Sequence, residues 1–155
     1  MLICIDLSAL YFAIRDLSIT INYESFLSLL KAKFGENSEI HAFTIANAKN
    51  ISQQKFLTKL SSLGVNLHVY PSTTPPNFTA EISAFTALSE VENVVIVSND
   101  WGLIRPFDIL RDSGKDLTLS FFSEKLMGGW TPKVVSGSVK FYDLSAEEVR
   151  SKISE

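Results

Sequence analysis

The stretch Val94-Val95-Ile96-Val97-Ser98-Asn99-Asp100, followed by Trp101-Gly102-Leu103-Ile104-Arg105-Pro106-Phe107 and then Ser113-Gly114-Lys115-Asp116-Leu117-Thr118-Leu119-Ser120-Phe121-Phe122, decides the fold. It reads as a buried strand ending on a carboxylate, a helix, and a second buried strand, the alternation of a parallel sheet covered by helices. The chain opens in the same way, because Leu2-Ile3-Cys4-Ile5 runs straight into Asp6. A carboxylate at the carboxyl end of such a strand lies where open α/β sheets bind ligands.

Working outward, strand-like apolar runs recur at 2–5, 39–45, 65–70, 93–98 and 117–122, with helical spacing between most of them. The pattern predicts an α/β three-layer sandwich around a central parallel sheet. Asn22 has the place of a helix cap, with the helix running to about Phe34 before Gly35. Asn50 with Gln53, and Ser145 with Glu148, have the form of capping boxes. Phe56, Leu57, Leu60 and Leu63 give the segment 50–63 one apolar stripe, Gly64 is placed to end it, and Lys55 and Lys59 fall on the solvent side. Pro71-Ser72-Thr73-Thr74-Pro75-Pro76-Asn77 excludes both helix interior and central strand. It reads as a connector or as a loop that touches substrate.

At 155 residues and 46% hydrophobic, the chain has the size of a single domain, residues 1–155, with one filled core. A formal net charge of -3 argues against a protein that coats nucleic acid through a broad basic face. The single cysteine, Cys4, lies in an apolar strand, which excludes an internal disulfide and a cysteine-based zinc site and fits a reducing compartment. With no basic leader and no long apolar run, the expectation is a cytoplasmic protein without a membrane span.

The chemistry concentrates in acids. If the strands are ordered 3-2-1-4-5, strands one and four are neighbours where the winding reverses, and Asp6 and Asp100 both end there. Two carboxylates so placed repel unless a cation or a shared proton compensates them, and hard oxygen ligands suit Mg²⁺ or Mn²⁺. Each could equally cap the helix that follows it. Glu81, near the start of the helical segment Thr79–Leu88, is a third candidate, or simply a first-turn acid stabilised by the helix dipole. Trp101 could stack on a base or pack in the core, and Arg105 could reach a phosphate or cover apolar surface with its stem. Ser98 and Asn99 are candidates to assist the phosphate. Asp108, Asp112 and Asp116 read as loop or solvent-facing acids, and His41 and His68 as packed or surface strand residues. There is no Gly-x-Ser-x-Gly element, no glycine phosphate loop and no Cys/His cluster.

Asp6-Leu-Ser-Ala-Leu-Tyr, Gln53-Gln54-Lys55-Phe56-Leu57 with Leu63-Gly64-Val65, Val97-Ser98-Asn99-Asp100 with Ser113-Gly114-Lys115, and Phe141-Tyr142-Asp143-Leu144 resemble the NYN domain, a branch of the PIN-like nuclease superfamily. The resemblance runs in order along nearly the whole chain. It implies a 3-2-1-4-5 sheet, a Mg²⁺- or Mn²⁺-dependent phosphodiesterase site and RNA as substrate, with Asp6 and Asp100 matching the family's strand-end acids. Three positions depart from the family pattern. An asparagine three residues after the first acid is Ala9, a second acid after strand four is Gly102, and helix acids spaced six apart align with Ala80 and Thr86. Glu81 stands one residue out of register.

Two functions follow as expectations. The first is a metal-dependent ribonuclease using Asp6, Asp100 and Glu81. The second is a catalytically degenerate domain that binds RNA or a protein partner, or self-associates; the acidic net charge tilts the second toward protein. A receiver-like domain shares the alternation, but its acidic pair precedes the phosphorylated aspartate, and strand three here ends in Tyr70-Pro71 without an acid.

Overall fold

The computed structural model describes residues 1–99, 114–123 and 139–154. Among these residues six strands, β1 (Leu2–Asp6), β2 (Glu39–Ala46), β3 (Asn66–Pro71), β4 (Asn93–Val97), β5 (Asp116–Phe121) and β6 (Lys140–Asp143), form one sheet in the order β3-β2-β1-β4-β5-β6. Every pairing is parallel. The expected order 3-2-1-4-5 is therefore present, with a sixth strand added beside β5. Lys140-Phe141-Tyr142-Asp143 lacks the long apolar run that marks the others, because as a short edge strand it is covered on fewer sides.

Among the described residues, five helices pack on the sheet: α1 (Leu7–Leu17), α2 (Tyr23–Phe34), α3 (Ile51–Ser62), α4 (Phe78–Leu88) and α5 (Glu147–Ile153). Strand residues alternate between two cores. Ile3, Ile5, Val95 and Val97 join Leu10, Phe26, Leu30, Leu60, Val149 and Ile153 from α1, α2, α3 and α5. Leu2, Cys4, Val94 and Ile96 join Ile82 of α4 on the other face. Phe26 is fully buried, so its truncation to alanine would cost about 3–5 kcal/mol. Burial pushes the Cys4 thiol up to about 12, with Glu39 adding to the effect, so it is an inert core group.

One device starts four of the helices. The side chains of Asp6, Asn22, Asn50 and Asn77 accept from the backbone N–H of Ala9, Ser25, Gln53 and Ala80, respectively. Each satisfies one otherwise orphaned donor, worth about 1 kcal/mol. The caps at Asn22 and Asn50 are those the sequence predicts, but the Asn50–Gln53 box is only half formed. The Gln53 side chain turns instead to the preceding loop, accepting from Asn47 N–H at 2.9 Å and donating to Ile45 O at 3.0 Å. The Ser145–Glu148 box is not formed. Ala146 occupies the cap position without a side-chain bond, and Ser145 N–H is drawn to Asp143 at 2.8 Å. Gly64 follows α3 at φ +89, a conformation that would strain a residue with a Cβ.

Candidate functional site at the carboxyl edge

Strands β1 and β4 are neighbours, while their following connections lead to opposite ends of the sheet order, so the crevice beyond their carboxyl ends is the topological switch point. Asp6 closes β1 there and is 1% exposed. Its Oδ1 accepts from Ala9 N–H at 3.0 Å, and its Oδ2 accepts from the Ser98 hydroxyl at 3.1 Å. Of the readings of Asp6, the cap is the one these contacts realise. The residue caps α1, and the cap holds its carboxylate at the switch point.

Ser98 belongs to the next layer of the same arrangement. The register that pairs Ile5 with Val97 carries Ser98 beside Asp6, and Ser98 N–H continues the ladder to Ser120 O at 3.0 Å. Asn99 then substitutes for one further ladder residue. Its Nδ2 donates to Phe122 O at 2.9 Å and its Oδ1 accepts from Phe122 N–H at 3.0 Å, so a side-chain amide ties the end of β4 to the end of β5. Sequence reasoning assigned Ser98 and Asn99 to substrate; their described bonds go to Asp6 and to Phe122. A further strand-end acid was read only as part of a motif. Asp143 ends β6 and accepts from Ser123 Oγ at 2.7 Å, from Ser123 N–H and from Ser145 N–H.

Glu81 stands in the first turn of α4, exposed, with Tyr70 Oη donating to its Oε2 at 3.3 Å. Burial and the Glu81 charge both push the Tyr70 hydroxyl above its ordinary pKa. Tyr70 lies on β3, two strands from β1, so the described contact ties Glu81 to the edge strand. Thr86 is fully buried, and its hydroxyl donates back to Ile82 O and Ser83 O. Ala80 is exposed. The helix positions at which the family pattern places acids therefore serve, respectively, as core and as outer surface. Asp100, Trp101 and Arg105, with Asp108 and Asp112, lie outside the described residues.

The two histidines meet. His41 Nδ1 and His68 Nε2 are 2.9 Å apart, Phe43 stacks on His68 at 4.2 Å, and Glu39 lies 3.2 Å from His41 Nε2. Burial first, and then the neighbouring His41, lower the pKa of His68. Asp116, exposed, faces Lys140 at 3.5 Å, as a surface acid should.

With this geometry in place, the model of the NYN domain matches residues 1–130. The chain belongs to the NYN domain family. It is thus a PIN-like nuclease-superfamily domain, and the family is one of RNA-related nucleases. No curated protein matches this NYN domain. The crystal structure of RSP, a Rex-family repressor, is similar at 15% identity, over 84% of this chain and 65% of that one, with a TM-score of 0.33. The NYN domain thus spans less than two thirds of that protein, and so distant a likeness bears on no functional point.

The donor chemistry at the switch point is of the hard-oxygen kind that suits Mg²⁺ or Mn²⁺. Among the described residues, however, no group of three or more His, Cys, Asp and Glu side chains is assembled to hold an ion. Asp6 brings one carboxylate of that kind to the switch point, and Asp100, directly after Asn99 in the chain, lies outside the described residues. No described helix is long and apolar enough to cross a membrane.

Proposed function

We propose that this NYN domain hydrolyses RNA phosphodiester bonds in a Mg²⁺- or Mn²⁺-dependent reaction at the crevice between β1 and β4, acting as one cytoplasmic domain. One observation carries the reading: the carboxylate of Asp6, buried at the switch point, is held from two sides by Ala9 N–H and Ser98 Oγ. Asp6 and Asp100 are the proposed ligands. Glu81 joins them only by turning away from Tyr70. When bound, the divalent ion would polarise the scissile phosphate and neutralise charge developing on it.

The chain's own contribution is positional. Ser98 and the α1 N-terminus fix the orientation of Asp6 before substrate arrives, so no reorganisation is needed during reaction. Asn99, by anchoring the end of β4 to Phe122, fixes the point from which Asp100 follows. Arg105 is the proposed phosphate contact and Trp101 the proposed base contact.

The test is cleavage of single-stranded RNA by the purified chain with Mn²⁺, compared with Asp6→Asn and Asp100→Asn. Activity in the native chain and its loss in both variants is the expected result. An inactive native chain would overturn the reading and leave a domain that only binds, and undiminished cleavage by both variants would place the chemistry elsewhere.

A further inference from the structure

Helix α1 carries an aromatic stripe that its packing does not use. Leu7, Leu10 and Ala13 are buried, whereas Tyr11 and Phe12 are 58% and 50% exposed. With Ser8 and Arg15, they recur at the i, i+3, i+4, i+7 spacing of one helix face. Tyr11 and Phe12 meet edge to face at 5.6 Å, and the Arg15 guanidinium lies 4.9 Å from the Phe12 ring centre.

This stripe forms one wall of a groove of about 480 Å³ between α1 and α3, completed by Tyr23, Phe56 and the end of β2 at Thr44 and Ile45. That volume lies within the range of small-ligand sites, about 300–1,000 Å³. The groove is also built firmly. Tyr23 and Phe56 pack edge to face at 4.9 Å, and Gln53 is pinned by Asn47 and Ile45.

We infer that this groove is a base-binding subsite, in which an unpaired nucleobase of single-stranded RNA stacks on Tyr11 and Phe12 while the same strand passes Asp6. Three observations favour this occupant. The groove is continuous with the switch point, because Leu7 and Ser8 line it directly after Asp6, and Thr44 follows Phe43, the register partner of Asp6. Tyr11 lies about 8 Å along the helix axis from Asp6, a distance one strand can bridge. No Asp or Glu lines the groove, Arg15, itself paired with Asp16 at 3.4 Å, lies over the Phe12 ring of its wall, and Ser8, Ser52 and Asn50 offer polar groups for a base edge. Every base has a π-face, so exposed rings beside a phosphate site suit a sequence-tolerant strand. A protein partner needs about 800 Å² per side, more than this concavity offers.

The inference rests on the RNA reading above, but its test separates the two. Anisotropy of a fluorescein-labelled single-stranded RNA hexamer is measured in EDTA, where cleavage cannot interfere, for the native chain and for Tyr11→Ala, Phe12→Ala and Tyr11→Phe. Each alanine variant should weaken binding about tenfold, within the range of one lost base-stacking contact. Tyr11→Phe should bind as the native chain does, and thermal midpoints should be unchanged because both rings are exposed. Asp6→Asn should bind RNA while failing to cleave it, so loss of cleavage alone leaves the inference standing. Native-strength binding by both alanine variants, or no binding by the native chain, would overturn it. So would a dimer in sedimentation that Tyr11→Ala dissolves without any effect on RNA, which would assign the groove to a second copy of the chain.

Discussion

Replacing Asp6 separates the structural from the chemical role of one carboxylate. In Asp6→Ala the N–H of Ala9 loses its cap, costing about 1 kcal/mol. The buried bond from the Ser98 hydroxyl to the carboxylate is lost as well, costing about 1–3 kcal/mol. The sum is a destabilisation of about 2–4 kcal/mol. Asp6→Asn behaves differently. Asparagine caps as well as aspartate, and its amide can donate to Ser98 Oγ once that hydroxyl rotates. Its cost should stay within about 1 kcal/mol, because both contacts are rebuilt. Urea denaturation of the three proteins, followed by circular dichroism, gives these differences directly, with RNA cleavage measured on the same samples. The expected outcome is a stable, inactive Asp6→Asn and an unstable, inactive Asp6→Ala. If Asp6→Asn is as unstable as Asp6→Ala, the charge itself holds the fold, and the capping argument is wrong.

Asn99→Ala removes both bonds to Phe122 and should cost about 2–3 kcal/mol in the same denaturation assay, with Asn99→Asp, which turns a carboxylate oxygen toward the Phe122 carbonyl in place of the donating amide, losing at least as much. Thr86→Glu, which restores an acid where the family pattern has one, would put a charge at a fully buried position. It should destabilise by more than about 3 kcal/mol and yield no gain in Mn²⁺-dependent cleavage, whereas Thr86→Val should fold normally. His68 has its pKa lowered in the folded state, so the native protein resists its protonation. Stability should therefore be complete above the ordinary histidine range and fall as pH drops from about 6.5 through the lowered value. Urea midpoints at pH 7.5 and 5.0 should show this acid loss in the native chain and less of it in His68→Phe; an equal loss in both would assign it to other groups.

The fold was legible because its central strands are buried on both faces, and burial writes itself as runs such as Val94-Val95-Ile96-Val97. β6 was not, since an edge strand of four residues carries no such run. Caps were legible where one residue supplies them, as at Asn22 and Asn50. They were misread where a second residue had to reciprocate, since Gln53 and Ser145 find partners in loops that local spacing does not reveal. At the site, position was readable from strand ends, but partnership was not. The bond between Ser98 and Asp6 spans 92 residues of chain, and the bond from Tyr70 draws Glu81 toward an edge strand that only the sheet order places. The aromatic pair Tyr11 and Phe12 was not singled out from the sequence, because it looks like any apolar helix face until the exposure of each ring is known.

The family match ends at residue 130, yet β6 and α5 lie beyond it. They are not an appendage. Leu144, Val149 and Ile153 are buried in the core shared with α1 and α2, Asn22 N–H donates to Ile153 O just before α2, and β6 covers the outer side of β5. A chain cut at residue 130 would open this core and bare a strand whose unpaired edge invites association with other chains. The boundary of the inherited pattern and the boundary of the folding unit therefore differ by a strand and a helix.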